Sequence, residues 1–132
     1  MDPVHVAVGV VLDDARRILI TRRAEDSHQG GLWEFPGGKV ESRETLHSAL
    51  ARELREELGI AIGRTSALLE VRHDYGDKAV LLDVHVVWEF SGQARGLEGQ
   101  PLAWVAAEEL AGYPFPAANE PIVEAVKTLL AD

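Results

Sequence analysis

Leucine recurs at every fourth position through Leu46, Leu50, Leu54 and Leu58. That spacing lines up side chains on one stripe of an α-helix. Gly59 follows at once, and glycine commonly closes a helix because it takes the left-handed conformation without penalty. The stripe therefore predicts a helix over residues 44–58 with one apolar face.

The flanking segments read mostly as strands. Residues 4–12 form a nearly unbroken apolar run, as in a strand buried on both faces. Asp13 and Asp14 suit a turn, and residues 18–21 resume a strand that ends in Arg22 and Arg23. Residues 24–43 hold Gly30, Gly31, Pro36, Gly37 and Gly38 without periodicity, which predicts a long functional loop. Residues 67–75 and 79–90 read as two strands joined by a turn at Gly76 and Asp77. A short strand is expected at 102–105. A second helix is expected at 120–130, where Ile122, Val123, Val126, Leu129 and Leu130 keep helical spacing. No repeat or linker interrupts the 132 residues, so they read as one α/β domain with a mixed sheet. The topology is not legible at this level.

The first helix carries three carboxylates in a narrow arc. Glu56 and Glu57 lie about 60° and 40° to either side of Glu53 at 100° per residue. Glu53 and Glu57 repel at i and i+4, and all three sit where the helix dipole disfavours anions. Arg52 can offset Glu56, whereas Glu53 and Glu57 have no such partner on the helix. A solvated acidic face is the ordinary explanation. Against it, these glutamates border the leucine stripe and follow a glycine-rich loop whose backbone can approach a ligand closely. A divalent cation would remove the repulsion, and an oxygen-only donor set suits magnesium or manganese.

The stretch reads Gly38, five residues, Glu44, seven residues, Arg52-Glu53-Leu54, one residue, Glu56-Glu57, one residue, Gly59-Ile60. This resembles the signature box of the Nudix hydrolase family at every defined position. Neither a Walker P-loop nor a GxGxxG motif is present. The resemblance implies an α/β/α sandwich and a helix presenting carboxylates to magnesium ions that hold a diphosphate. By position, Glu53, Glu56 and Glu57 would be metal ligands together with the carbonyl of Gly37. Glu53 would also accept the proton of the attacking water. Arg52 would orient the carboxylates, and Glu44 would support the junction of loop and helix.

Likeness to the MutT-like branch of the family extends over residues 4–130. It is carried by Ala7-Val8-Gly9, Ile20-Thr21-Arg22-Arg23, Glu34-Phe35-Pro36-Gly37-Gly38-Lys39, Glu98-Gly99-Gln100-Pro101 and Pro116-Ala117-Ala118-Asn119-Glu120-Pro121. Several of these segments are shared with related pyrimidine nucleotide hydrolases. The likeness implies hydrolysis of 8-oxo-dGTP to 8-oxo-dGMP and pyrophosphate, with water attacking the β-phosphorus. Glu98 would be a further metal ligand, Arg23 would contact the nucleotide, and Gly38 and Lys39 would line its site. Phe35 would line the base pocket, and the Asn119 amide would pair with the oxidised guanine. Without the resemblance, Asn119 reads as a helix N-cap before Glu120 and Pro121. Three positions depart from relatives: Arg43 where glycine is common, and Lys78 and Ala118 in segments that shape the pocket.

Composition narrows the partners. A formal net charge of −9 argues against binding duplex nucleic acid. A small anionic nucleotide remains accessible if cations and a few basic residues bridge the charges. With no cysteine, disulfides and thiolate chemistry are excluded. Without an export signal or a membrane-length apolar run, a soluble, cytoplasmic monomer is expected. His5, His28, His47, His73 and His85 show no zinc-like spacing and read as surface or packing residues. Trp33, Trp88 and Trp104 read as core packing, and Arg16 and Arg17 as solvated turn residues. The rivals to the purine reading are hydrolysis of CTP, a modified pyrimidine triphosphate or another nucleoside diphosphate derivative. A non-catalytic base-recognition domain is a further rival. The chain could also be part of a longer fusion.

Overall fold

Strand β1 (Val4–Val11) buries Val8 and Val10 on one face and Ala7 and Val11 on the other. β2 (Ile18–Arg22) repeats the pattern, with Ile18 and Ile20 on the first side and Leu19 on the second. Strands that must be apolar on both faces have layers on both sides. One layer is α1 (Leu46–Leu58), whose Ala49, Leu50, Leu54 and Leu58 pack on the second face. The other is α2 (Glu120–Leu130), whose Ile122 and Val126 pack on the first. The result is the expected α/β/α sandwich. The computed structural model describes residues 2–27 and 30–131, so His28 lies outside the described residues.

The main sheet is mixed and runs in the order β4 (Gly37–Lys39), β1, β7 (Ala79–Val87), β6 (Thr65–Asp74). β1 and β7 are parallel, and the other pairings are antiparallel. A second antiparallel sheet joins β3 (Trp33–Glu34), β2 and β9 (Leu102–Val105). The turn between β6 and β7 closes where the Tyr75 N–H donates to the Lys78 carbonyl at 2.8 Å. Among the described residues, no helix is long and apolar enough to cross a membrane.

Three local readings are corrected. The supposed loop at 24–43 contains β3 and β4, whose two and three residues are too short to show a period. They are strands because β2 and β1 supply the pairing partners. The strand read over 79–90 stops at Val87, although the Trp88 N–H still donates to the Arg64 carbonyl at 2.9 Å in the register of the β6–β7 pairing. Phe90–Ser91 (β8) then pairs with Ala61–Ile62 (β5), a strand the sequence did not announce. The first helix begins two residues late. Thr45 caps it, its Oγ1 accepting from the Ser48 N–H while Ser48 Oγ accepts from the Thr45 N–H, both at 3.0 Å. Gly59 ends it in the left-handed conformation, as expected.

Arg43 adopts φ +72°, the conformation that glycine takes without strain. Arg43 thus makes a glycine-like turn before the helix, at a cost of roughly 1–2 kcal/mol for a residue with a side chain. The tryptophans do pack against the two cores. His5 and His85 face Asp83 at 2.9 and 3.7 Å, His47 meets Thr65, and His73 lies edge-on to Tyr75.

Candidate active site

The β4 glycines seat the helix against the sheet. A Cβ on Gly37 would overlap the Ala7 carbonyl, and one on Gly38 would overlap the Glu53 carboxylate. The two obstacles differ in kind, because one is backbone and the other is the end of a flexible side chain. Gly37→Ala is therefore expected to cost about 3 kcal/mol of stability, read by urea denaturation. Gly38→Ala is expected to cost under about 1 kcal/mol, yet to lower turnover some tenfold or more by pushing Glu53 aside. Equal effects of the two on stability would contradict this placement of Glu53.

Arg52 organises the acidic helix. Its Nε and Nη2 donate to the two oxygens of Glu44 at 2.7 and 2.9 Å, a bidentate fork. Nη1 donates to Glu53 Oε1 at 2.8 Å, and Nη2 reaches the Lys39 carbonyl at 3.0 Å. Glu56 lies 3.5 Å from Nη1 with a side chain 57% exposed. The sequence reading that Glu53 lacks a cationic partner on the helix is thus corrected: Arg52 serves it better than it serves Glu56. The hydrogen bonds from Arg52, with one from the Glu41 N–H, hold the Glu44 carboxyl down to about 2.

Glu57 is in the opposite situation. Burial first, then the charges of Glu53, Glu34 and Glu98, push its carboxyl up to about 8. Two of these neighbours come from outside the helix. Glu98 sits on an exposed loop before β9, and Glu34 lies on β3, paired with Arg23 Nη1 at 2.8 Å. Burial raises the Glu34 carboxyl as well, against the pull of Arg23. Sequence reasoning singled out Glu98 but not Glu34. Its only signal there was adjacency to Phe35, whereas its importance comes from β3 pairing beside the helix.

Two clefts meet at this cluster. The larger, about 330 Å³, takes in Arg23, Phe35, Gly37, Gly38, Lys39, Glu57 and Asn119, together with Tyr75 and Lys78 from the β6–β7 turn. The smaller, about 230 Å³, is lined by Arg22, Arg23, Ser27, Glu34, Glu57, Glu98 and Gln100. Arg23, Glu34 and Glu57 border both. Phe35 is buried and stacks on Phe115, with ring centroids 5.3 Å apart. Trp33 meets Tyr113 edge-on at 5.2 Å, and the Trp33 backbone N–H donates to the Pro114 carbonyl at 2.8 Å. These contacts fasten the segment before α2 to the strand beneath the cleft. Asn119 occupies the N-cap position of α2, but its side chain makes no capping bond, because a 3-10 turn over Ala117–Asn119 runs straight into the helix. The capping reading is corrected, and Asn119 lines the larger cleft.

The donor set fits a divalent cation that prefers oxygen. Glu53, Glu56, Glu57 and Glu98 offer carboxylates, and the crowding that raises Glu57 is what a cation would relieve. Among the described residues, no three acidic or histidine side chains converge as they stand. Glu53 is shared between Arg52 and the Glu57 side chain, whereas the Glu56 side chain is largely exposed.

A mixed-sheet sandwich with this carboxylate helix beside a nucleotide-sized cleft defines a class of pyrophosphohydrolases. The chain belongs to the Nudix family, whose NUDIX domain matches residues 7–125. It is 38% identical over 129 residues to the 8-oxo-dGTP diphosphatase of Escherichia coli, covering 98% of this chain and 100% of that one. It is also 37% identical to the CTP pyrophosphohydrolase of Escherichia coli, over 94% of this chain and 92% of that one. Among solved structures, a MutT from work on Aliivibrio salmonicida and Vibrio cholerae superposes with a TM-score of 0.86 at 38% identity. That match covers 98% of this chain and 100% of the other. The E. coli ORF135 protein superposes at 0.88 with 37% identity, covering 99% and 93%.

Proposed function

We propose that this protein hydrolyses 8-oxo-dGTP to 8-oxo-dGMP and pyrophosphate, removing an oxidised nucleotide before it enters DNA and so preventing mutation. The observation that carries the reading is Asn119. It is released from capping and shares one cleft with Phe35 and Glu57. An amide presents a donor and an acceptor side by side, as the edge of a purine requires. Phe35, braced by Phe115, forms an apolar wall of the same cleft. Arg23, Lys39 and Lys78 bring positive charge to an otherwise acidic chain and favour the phosphates.

Glu53, Glu56, Glu57, Glu98 and the Gly37 carbonyl would hold magnesium, with manganese as a substitute. When bound, the metal neutralises phosphate oxygens and makes water a better nucleophile. Glu53 takes the proton from the attacking water. Arg52 holds Glu53 and Glu44 fixes Arg52, so the base meets the substrate at one angle. The ion pair of Glu34 and Arg23 lies where the two clefts meet, between the base wall at Phe35 and the carboxylates at Glu57 and Glu98.

Product binding tests base recognition apart from chemistry. Calorimetry with monophosphates should give 8-oxo-dGMP an affinity at least about tenfold above dGMP and CMP, the contribution of one or two hydrogen bonds to a buried base. Tighter binding of CMP would instead assign a pyrimidine substrate, in keeping with the likeness to the CTP pyrophosphohydrolase.

A further inference from the structure

The loop that carries Glu98 is tied to the end of α1 that carries Glu57. A helix leaves its last carbonyls without partners inside the helix. Here those carbonyls hold the loop: the Leu97 N–H donates to the Glu57 carbonyl at 3.0 Å, and the Arg95 N–H to the Leu58 carbonyl at 3.0 Å. Gln100 completes the tie. Its Nε2 donates to the Glu57 carbonyl at 3.2 Å, and its Oε1 accepts from the Glu98 N–H at 2.9 Å. The assignment of the two amide atoms is forced, since a carbonyl can only accept and an N–H can only donate. One side chain thus bridges the backbones of Glu57 and Glu98, reaching a helix residue 43 positions before its own. Gln100 and both carboxylates line the same cleft.

We propose that Gln100 is a positioning residue that sets Glu98 against Glu57, so that the two carboxylates act on one cation. No other side chain of similar length supplies both a donor and an acceptor at its tip. Glutamate keeps the acceptor for the Glu98 N–H but turns a second acceptor toward the Glu57 carbonyl. Leucine keeps the volume and loses both bonds. Groups that hold a metal ligand in place commonly change metal affinity by 10–100-fold when lost. The inference rests on Glu98 being a ligand, as given under the proposed function.

The test is Mn2+ affinity of the nucleotide-free protein, titrated by electron paramagnetic resonance, for Glu98→Gln, Gln100→Leu, Gln100→Glu and the Glu98→Gln/Gln100→Leu double variant. Melting curves accompany each, and Gln100→Glu stands in if Gln100→Leu does not fold. Either Gln100 variant is expected to weaken Mn2+ binding by about the same factor as Glu98→Gln, roughly tenfold. The double variant should bind no more weakly than the weaker single variant, since both changes remove one interaction. Wild-type affinity in the Gln100 variants beside a loss in Glu98→Gln would overturn the bridge alone, as would losses that multiply in the double variant. Wild-type affinity in Glu98→Gln would overturn the ligand reading of Glu98, and the role of Gln100 with it.

Discussion

Glu53→Gln is expected to lower turnover by roughly 10²–10⁴-fold, the range spanned by loss of a positioned general base, while the melting temperature stays close to that of the unchanged protein. The geometry explains why the two effects separate. The Glu53 side chain is 18% exposed, lies over Gly38 and accepts one bond from Arg52 Nη1. A glutamine oxygen can keep that bond in nearly the same volume. What it loses is the charge and the capacity to take a proton. The fold does not depend on that charge, because Arg52 remains forked onto Glu44. Wild-type activity in this variant would remove Glu53 from the chemistry and with it the assignment of the site.

The second large effect concerns selectivity. Asn119→Ala should reduce kcat/KM for 8-oxo-dGTP by about 10²-fold, and that for dGTP by only a few-fold. A site built to hydrogen-bond a base discriminates strongly through the groups it leaves unpaired when the match is wrong. Stability should hardly change, since the side chain contributes no cap to α2. That point distinguishes this variant from loss of a true N-cap, which typically costs about 1 kcal/mol. Equal losses for the two nucleotides would make Asn119 a general contributor to the cleft and leave base recognition to other groups.

What could be read from the sequence follows physical range. α1 and its carboxylate arc were legible because helix period, stripe and terminal glycine all act within a few residues. α2 was legible for the same reason, and its boundaries at Glu120 and Leu130 match the expectation. β3 and β4 were not, since their pairing comes from β2 and β1 and leaves no mark in two or three residues. The site divides along the same line. Glu53, Glu56 and Glu57 announce themselves by spacing. Glu34 does not, because its place beside Glu57 depends on strand pairing. Gln100 is equally silent, since its partner is 43 residues away. Asn119 shows how a local rule misleads: the sequence around it is that of an N-cap, but the preceding turn takes the backbone out of capping geometry.

The most direct test of the central claim is product analysis at low substrate concentration in the presence of magnesium. The panel is 8-oxo-dGTP, dGTP, CTP, 5-methyl-dCTP and ADP-ribose. Equal amounts of monophosphate and pyrophosphate, with 8-oxo-dGTP cleaved much the fastest and all cleavage stopped by a chelator, is the predicted result. Preference for a pyrimidine or for ADP-ribose would contradict the substrate while sparing the carboxylate chemistry. No cleavage of any member, with magnesium and with manganese, would contradict the account as a whole.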